Sequence, residues 1–137
     1  MNQIQRSFSV MTYDIDFAGV VSNITYIRWL EDLRNYFAEQ ILSLGEAFKR
    51  GIVPALMRTE IDYVTPVRFP DIVEGRMWLA ETGSAKWSLG AEFTSQSNSI
   101  ITARAKQSGV FVSLTTLRPV RLPEEFRRIN SPKSEQP

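Results

Sequence analysis

Tyr13-Asp-Ile-Asp-Phe-Ala-Gly-Val-Val-Ser-Asn-Ile-Thr-Tyr-Ile-Arg-Trp-Leu-Glu-Asp-Leu-Arg34 is the stretch from which the rest of the chain is read. Its first part carries two acids and a glycine, which break any strand rhythm, and Ser22 or Asn23 then offers a helix N-cap. From there Tyr26, Trp29, Leu30, Leu33, Phe37, Ile41 and Leu44 recur at helical spacing, while Arg28, Glu31, Asp32, Arg34, Asn35 and Glu39 take the other faces. The pattern predicts an amphipathic helix of about five turns that ends near Gly45, the one long helix of the chain. So many large apolar groups on one helix need a broad cover.

The flanking sequence supplies that cover as strands. Upstream, Gln5 to Tyr13 alternates with period two and is rich in β-formers. Downstream, Gly51 to Met57 opens a second β region and Arg58 to Val64 continues the alternation, with Pro66 and Pro70 interrupting as prolines do at strand ends. Ile72 to Glu81, Lys86 to Gln96 and Ile100 to Leu114 read as further strands, parted by the hairpin-like breaks Thr82-Gly83-Ser84 and Ser97-Asn98-Ser99. Leu122 to Phe126 reads as a short helix with Pro123 in its first turn. The prediction is an α+β layer in which a largely antiparallel sheet curls around one helix.

The 137 residues accommodate one domain, placed at 1–130, and Ser131 to Pro137 reads as a polar, disordered tail. Two zero counts narrow the chemistry. Without Cys there is no disulfide framework, thiolate nucleophile or Cys-ligated metal, and a cytoplasmic protein is the simplest expectation. Without His there is no Ser-His-Asp or Cys-His pair, no HExxH zinc site and no imidazole shuttle, so acid-base work falls to carboxylates, Tyr, Lys, backbone dipoles or water. Sixteen basic and fifteen acidic residues, interleaved to a net +1, argue against a nucleic-acid binder. Neither an export leader nor a membrane span is expected from the apolar runs.

Within the opening stretch, Asp16 lies between Ile15 and Phe17 just ahead of the helix. A carboxylate flanked by apolar groups can lose solvent and become a better base or nucleophile. The unpaired N–H groups of the helix's first turn, near Ser22 to Thr25, can hold a developing oxyanion. The alternative is that Asp14 and Asp16 simply cap backbone N–H groups of the turn. Spacing alone leaves both open.

Three spaced blocks carry a resemblance. Tyr13-x-Asp14-x-Asp16-x-x-Gly19-Val20-Val21-x-Asn23-x-x-Tyr26-x-x-Trp29-x-Glu31-x-x-Arg34 resembles the N-terminal signature of hot-dog-fold acyl-CoA thioesterases of the 4-hydroxybenzoyl-CoA thioesterase type, a group that includes short-chain enzymes linked to the Tol-Pal system. Glu60-Ile-Asp-Tyr63-x-x-Pro66-x-Arg68-x-x-Asp71 resembles the family's following strand and turn, and Arg118-Pro119-Val120-x-Leu122-Pro123-Glu124 its C-terminal end. The similarity runs from about Arg6 to Arg127. It implies a long central helix wrapped by a five- or six-stranded antiparallel sheet, paired into a homodimer or homotetramer with active sites between subunits.

The resemblance further implies hydrolysis of an acyl-CoA thioester by water, with no metal or redox cofactor. The family's catalytic carboxylate falls on Asp16, as nucleophile or as general base. Gly19 would permit the close turn, and the backbone N–H at Asn23 would polarise the thioester carbonyl. Tol-Pal-linked members carry His where this chain has Asn23; other members have Asn or Tyr there. Tyr26 and Trp29 are candidates for the acyl pocket, set against an ordinary core role. Arg58, with Thr59 beside it, and Lys86 are candidates for the coenzyme A side, as are Arg68 and Arg104, set against plain surface roles. Glu31 and Asp32 are expected on a solvated or Arg34-paired face, although a related branch of the fold uses a helix glutamate. The other class in play is a non-catalytic acyl-CoA-binding or scaffold protein.

Overall fold

A computed structural model describes residues 3–129. Strand β1 spans Gln3–Ser9, helix α1 Asn23–Glu39, a short helix α2 Leu44–Lys49, β2 Ile52–Tyr63, β3 Ile72–Thr82, β4 Lys86–Ser95, β5 Ile101–Ser113, a two-residue β6 Pro119–Val120 and α3 Glu124–Ile129. The strands form one antiparallel sheet in the order β1-β3-β4-β5-β2, with β6 added to β5. The expected tail lies outside the described residues.

Period-two burial decides which face of the sheet meets the helix. Val73, Gly75, Met77 and Leu79 of β3, and Trp87, Leu89, Ala91 and Phe93 of β4, all point inward. Opposite them lies the α1 stripe of Tyr26, Trp29, Leu30, Leu33 and Phe37, with Leu30 and Leu33 fully enclosed. Burying each such side chain stabilises the fold by about 1.5–3 kcal/mol. Phe8 stacks on Trp29 at 5.1 Å, and the Tyr26 ring meets Phe93 edge-on at 5.1 Å, so one aromatic cluster joins β1, α1 and β4. Gly75 lets the helix sit close: a Cβ there would lie 3.1 Å from a Leu33 methyl carbon and 2.9 Å from the Phe93 ring.

Three expectations change. The first strand ends at Ser9, not Tyr13, because Thr12–Asp14 coil into a 3-10 turn that Asp14 closes by accepting the Met11 N–H on its carboxylate at 2.9 Å. The long helix stops at Glu39 instead of Gly45, and Ser43 then caps α2 by accepting the Glu46 N–H at 3.1 Å. The closing helix runs on from Glu124 to Ile129, beyond Phe126. The β regions around Arg58 form a single strand, with a register shift between Leu56 and Arg58.

The outer face of the sheet is polar. Arg76, Glu92 and Arg104 stand in register across β3, β4 and β5, with Glu92 bridging the two guanidiniums. No described helix is long and apolar enough to cross a membrane.

Candidate active site

The site is built on the loop between β1 and α1. Val10 N–H donates to the Asp71 carbonyl at 2.9 Å, which ends β1 beside β3. Asp14 is buried, and its carbonyl accepts the Ser22 N–H at 2.9 Å and the Thr25 hydroxyl at 3.0 Å. Between these anchors Ile15 bridges Val21, and the Asp16 N–H donates to the Val20 carbonyl at 2.8 Å. Gly19 completes the reversal with φ +78°, a conformation that a side chain disfavours, and donates its N–H to the Asp16 carbonyl.

This geometry fixes the Asp16 carboxylate. Oδ1 accepts the N–H groups of Ala18 at 2.8 Å and Val20 at 3.3 Å. Oδ2 has no hydrogen-bond partner among the described residues, so one oxygen holds the turn and the other is free. The capping role and a chemical role are therefore compatible. A few residues on, Ser22 Oγ accepts the Thr25 N–H at 3.2 Å, which leaves the N–H groups of Asn23 and Ile24 as the open donors of the helix end. Such an end carries a partial positive charge and favours a developing anion.

The loss of solvent expected at Asp16 is absent within one chain: Asp16 is exposed, and Phe17 beside it is fully so. Apolar surface surrounds it instead. Tyr13, Phe17, Ile24, Tyr63, Val64 and Phe69 are all exposed, and the loop is tied to the far end of β2 through Val21 N–H to the Val67 carbonyl at 2.8 Å and a Val20–Arg68 bridge. β2 is itself an edge strand of twelve residues with Leu56 and Met57 exposed at its middle. A long unpaired edge flanked by apolar surface is what a second chain would cover.

The other sequence-chosen residues are scattered. Tyr26 and Trp29 lie in the core, and the Tyr26 hydroxyl donates to Thr102 at 3.0 Å; burial pushes its pKa up. Arg58 is exposed and pairs with Glu60 at 2.6 Å. Lys86 joins Arg58 and Lys106 along a groove of about 290 Å³ on the outer face. Arg104 is taken up by Glu92. Thr59 points inward and accepts a hydrogen bond from Gln107 at 3.0 Å.

One arrangement was missed. Arg34 was expected to pair on the helix surface with Glu31 or Asp32, but it turns inward and donates to Gln107 Oε1 at 2.8 Å. Burial pushes its pKa down, with Glu31 opposing. It forms part of the wall of a cavity of about 220 Å³ with Phe37, Leu42, Pro54, Trp87 and Phe111. The helical phase put Arg34 off the apolar stripe; the position of Gln107, seventy-three residues away, had no signal in the sequence.

The comparisons agree with this architecture. The profile of the thioesterase-like superfamily matches residues 10–129, and the chain belongs to that family. A 1,4-dihydroxy-2-naphthoyl-CoA thioesterase from Synechocystis superposes with a TM-score of 0.82 at 19% identity, over 91% of this chain and 93% of that one. A hypothetical protein from Staphylococcus aureus, solved in complex with CoA, gives 0.85 at 16% identity over 92% and 80%. A gentisyl-coenzyme A thioesterase gives 0.80 at 21% over 90% and 99%. At these identities the structures establish the shared hot-dog fold. No curated protein matches in sequence.

Proposed function

We propose that the chain is an acyl-CoA thioesterase, hydrolysing the thioester to a free acid and coenzyme A. The observation that carries this reading is Asp16, a carboxylate with one oxygen fastened by two backbone N–H groups and the other free, beside the open donors at the start of α1. The free oxygen either attacks the carbonyl carbon or takes a proton from attacking water. In both routes negative charge builds on the carbonyl oxygen, where the Asn23 N–H and the helix dipole stabilise it. The thiolate leaves and takes up a proton; with water as the attacking group the free acid remains, whereas attack by Asp16 itself leaves a mixed anhydride that water then hydrolyses, releasing the acid and restoring the carboxylate. Coenzyme A enters only as part of the substrate.

Two copies pair antiparallel along β2 in this account. The pairing places one chain's Tyr63 end, with its Asp16 loop, against the other's Ile52 end, where the cavity opens between Glu31, Asn35 and Leu56. Within one chain the two cannot meet, since Arg34 lies roughly 16 Å along the helix from Asn23. Covering the loop also desolvates Asp16. The groove of Arg58, Lys86 and Lys106, which Glu60 and Glu81 also line, is the candidate for coenzyme A's phosphates, with Lys86 and Lys106 as its cations free of an ion pair among the described residues.

The test is thiol release from a panel of aromatic, short and long acyl-CoA substrates, with light scattering on the same preparation. The reading expects turnover by a dimer or tetramer. Tight coenzyme A binding without thiol release would assign the chain to the non-catalytic class.

A further inference from the structure

The cavity beside α1 contains one charge with no directly bonded counter-ion among the described residues, Glu31 acting on it only from a distance. Its walls are mostly apolar, with Phe37, Leu42, Pro54, Trp87 and Phe111 among them, and Arg34 reaches in from the helix. The guanidinium has five N–H donors. Its one side-chain acceptor among the described residues is the neutral amide oxygen of Gln107, itself almost fully enclosed and held by the Thr59 hydroxyl. No carboxylate of the described residues lies within 4.0 Å of Arg34; Glu31, one turn earlier, is exposed at the cavity mouth. Buried charges are ordinarily paired, because leaving water costs several kcal/mol that only a counter-charge recovers.

We propose that Arg34 is a specificity residue for an acyl group bearing a second carboxylate, so that the substrate class is the mono-thioester of a short dicarboxylic acid with coenzyme A. The inference rests on the thioesterase reading and adds the identity of the acyl group. A carboxylate supplies what Arg34 lacks: a negative charge in direct contact, with two oxygens that match the planar fork of the guanidinium. A hydroxyl or amide would repeat what Gln107 already provides. The volume fits a short chain, since pockets for larger ligands start at about 300 Å³. Much of the guanidinium's desolvation is incurred on folding, so the entering carboxylate gains its partner without that cost at the moment of binding.

The experiment compares kcat/KM for succinyl-, glutaryl- and adipyl-CoA with that for butyryl-, valeryl- and hexanoyl-CoA. In the wild type the best carboxylated substrate should exceed its methyl-ended counterpart by at least about tenfold, the range of a charge-assisted hydrogen bond in a shielded site. Arg34→Gln should bring the ratio to about one or below. Gln107→Glu is the second variant: it gives Arg34 an internal counter-ion at the same place and should remove the preference even if Arg34→Gln does not fold. Hydrolysis of the neutral substrates with no preference for the carboxylated ones overturns the proposal and leaves the thioesterase reading standing. So does a preference unchanged in a folded variant, including one in which Arg34→Gln alters only oligomeric state. Absence of turnover on both series overturns the proposal, and only absence of thiol release across the wider panel of aromatic, short and long acyl-CoAs overturns the thioesterase reading as well.

Discussion

Leu33 is the residue through which α1 rests on the sheet, and truncating it tests the packing directly. It is fully buried, and one of its methyl carbons lies 3.1 Å from where a Cβ on Gly75 would stand. Leu33→Ala removes three carbons, which at about 0.8 kcal/mol each amounts to about 2.4 kcal/mol of lost transfer free energy. The aromatic walls of Phe8, Trp29 and Phe93 are wedged against one another and cannot collapse fully into the gap, so the cavity raises the cost to about 3–5 kcal/mol. Gly75→Ala alone overpacks the same spot, since its Cβ meets Phe93 at 2.9 Å and Phe8 and Leu33 at 3.1 Å, and should cost about 1–3 kcal/mol. Combined, the two substitutions should cost less than their sum, because the new methyl fills part of the space the leucine leaves. Urea unfolding followed by tryptophan fluorescence reads all three variants, with exposed Arg28→Ala as the control, expected within about 0.5 kcal/mol of wild type. A loss below about 1 kcal/mol for Leu33→Ala, or strict additivity in the double variant, would refute the packing described.

Two further outcomes are expected. Gly19→Ala meets no steric neighbour but forces a side chain to φ +78°, so it should destabilise by about 1–2 kcal/mol and lower thioesterase activity by loosening the loop that aims Asp16, as thermal unfolding and thiol release would record. The Glu125 carboxyl is held down at about 2, from an ordinary 4.5, by hydrogen bonds from Arg50; a depressed folded-state pKa contributes stability that is present above pH 4.5 and lost as pH falls toward 2, so the small stability gap between wild type and Glu125→Gln should narrow across that window in an acid titration of unfolding.

Most of the architecture was legible because it rests on local periodicity. The α1 stripe from Tyr26 to Phe37 and the alternation in β3, β4 and β5 are repeated often enough to outvote single exceptions. Errors fell where one pattern runs into another. Ile41 and Leu44 continue the helical phase past Gln40, yet Ser43 followed three residues later by Glu46 carries a second helix start that the apolar count overrode. Met11 and Tyr13 keep the strand's alternation, but the Asp14 carboxylate bends the backbone away. The site divides in the same way. Asp16, Gly19 and Asn23 are neighbours in sequence, so their grouping was readable. Arg34, Gln107 and Thr59 meet only because β5 lies between β2 and β4 under α1, and no local pattern records that. The solvent exposure of Asp16 and Phe17 likewise has no local signal, since apolar neighbours in sequence suit a buried carboxylate as well as an exposed one. Asp14, equally near in sequence, is instead buried and anchors the loop through its own backbone and carboxylate.

The turnover number of Asp16→Asn, measured by thiol release on the acyl-CoA that wild type hydrolyses fastest, bears most directly on the central claim. Asparagine keeps an oxygen to accept the Ala18 and Val20 N–H groups, so the loop and the oligomer should persist while the free carboxylate oxygen is lost. The account expects kcat to fall at least about a hundredfold with KM changed only modestly, as for loss of an essential base or nucleophile. A correctly assembled Asp16→Asn enzyme that turns over at the wild-type rate would contradict it and move the chemistry to another group, with Glu31 at the cavity mouth the first to examine.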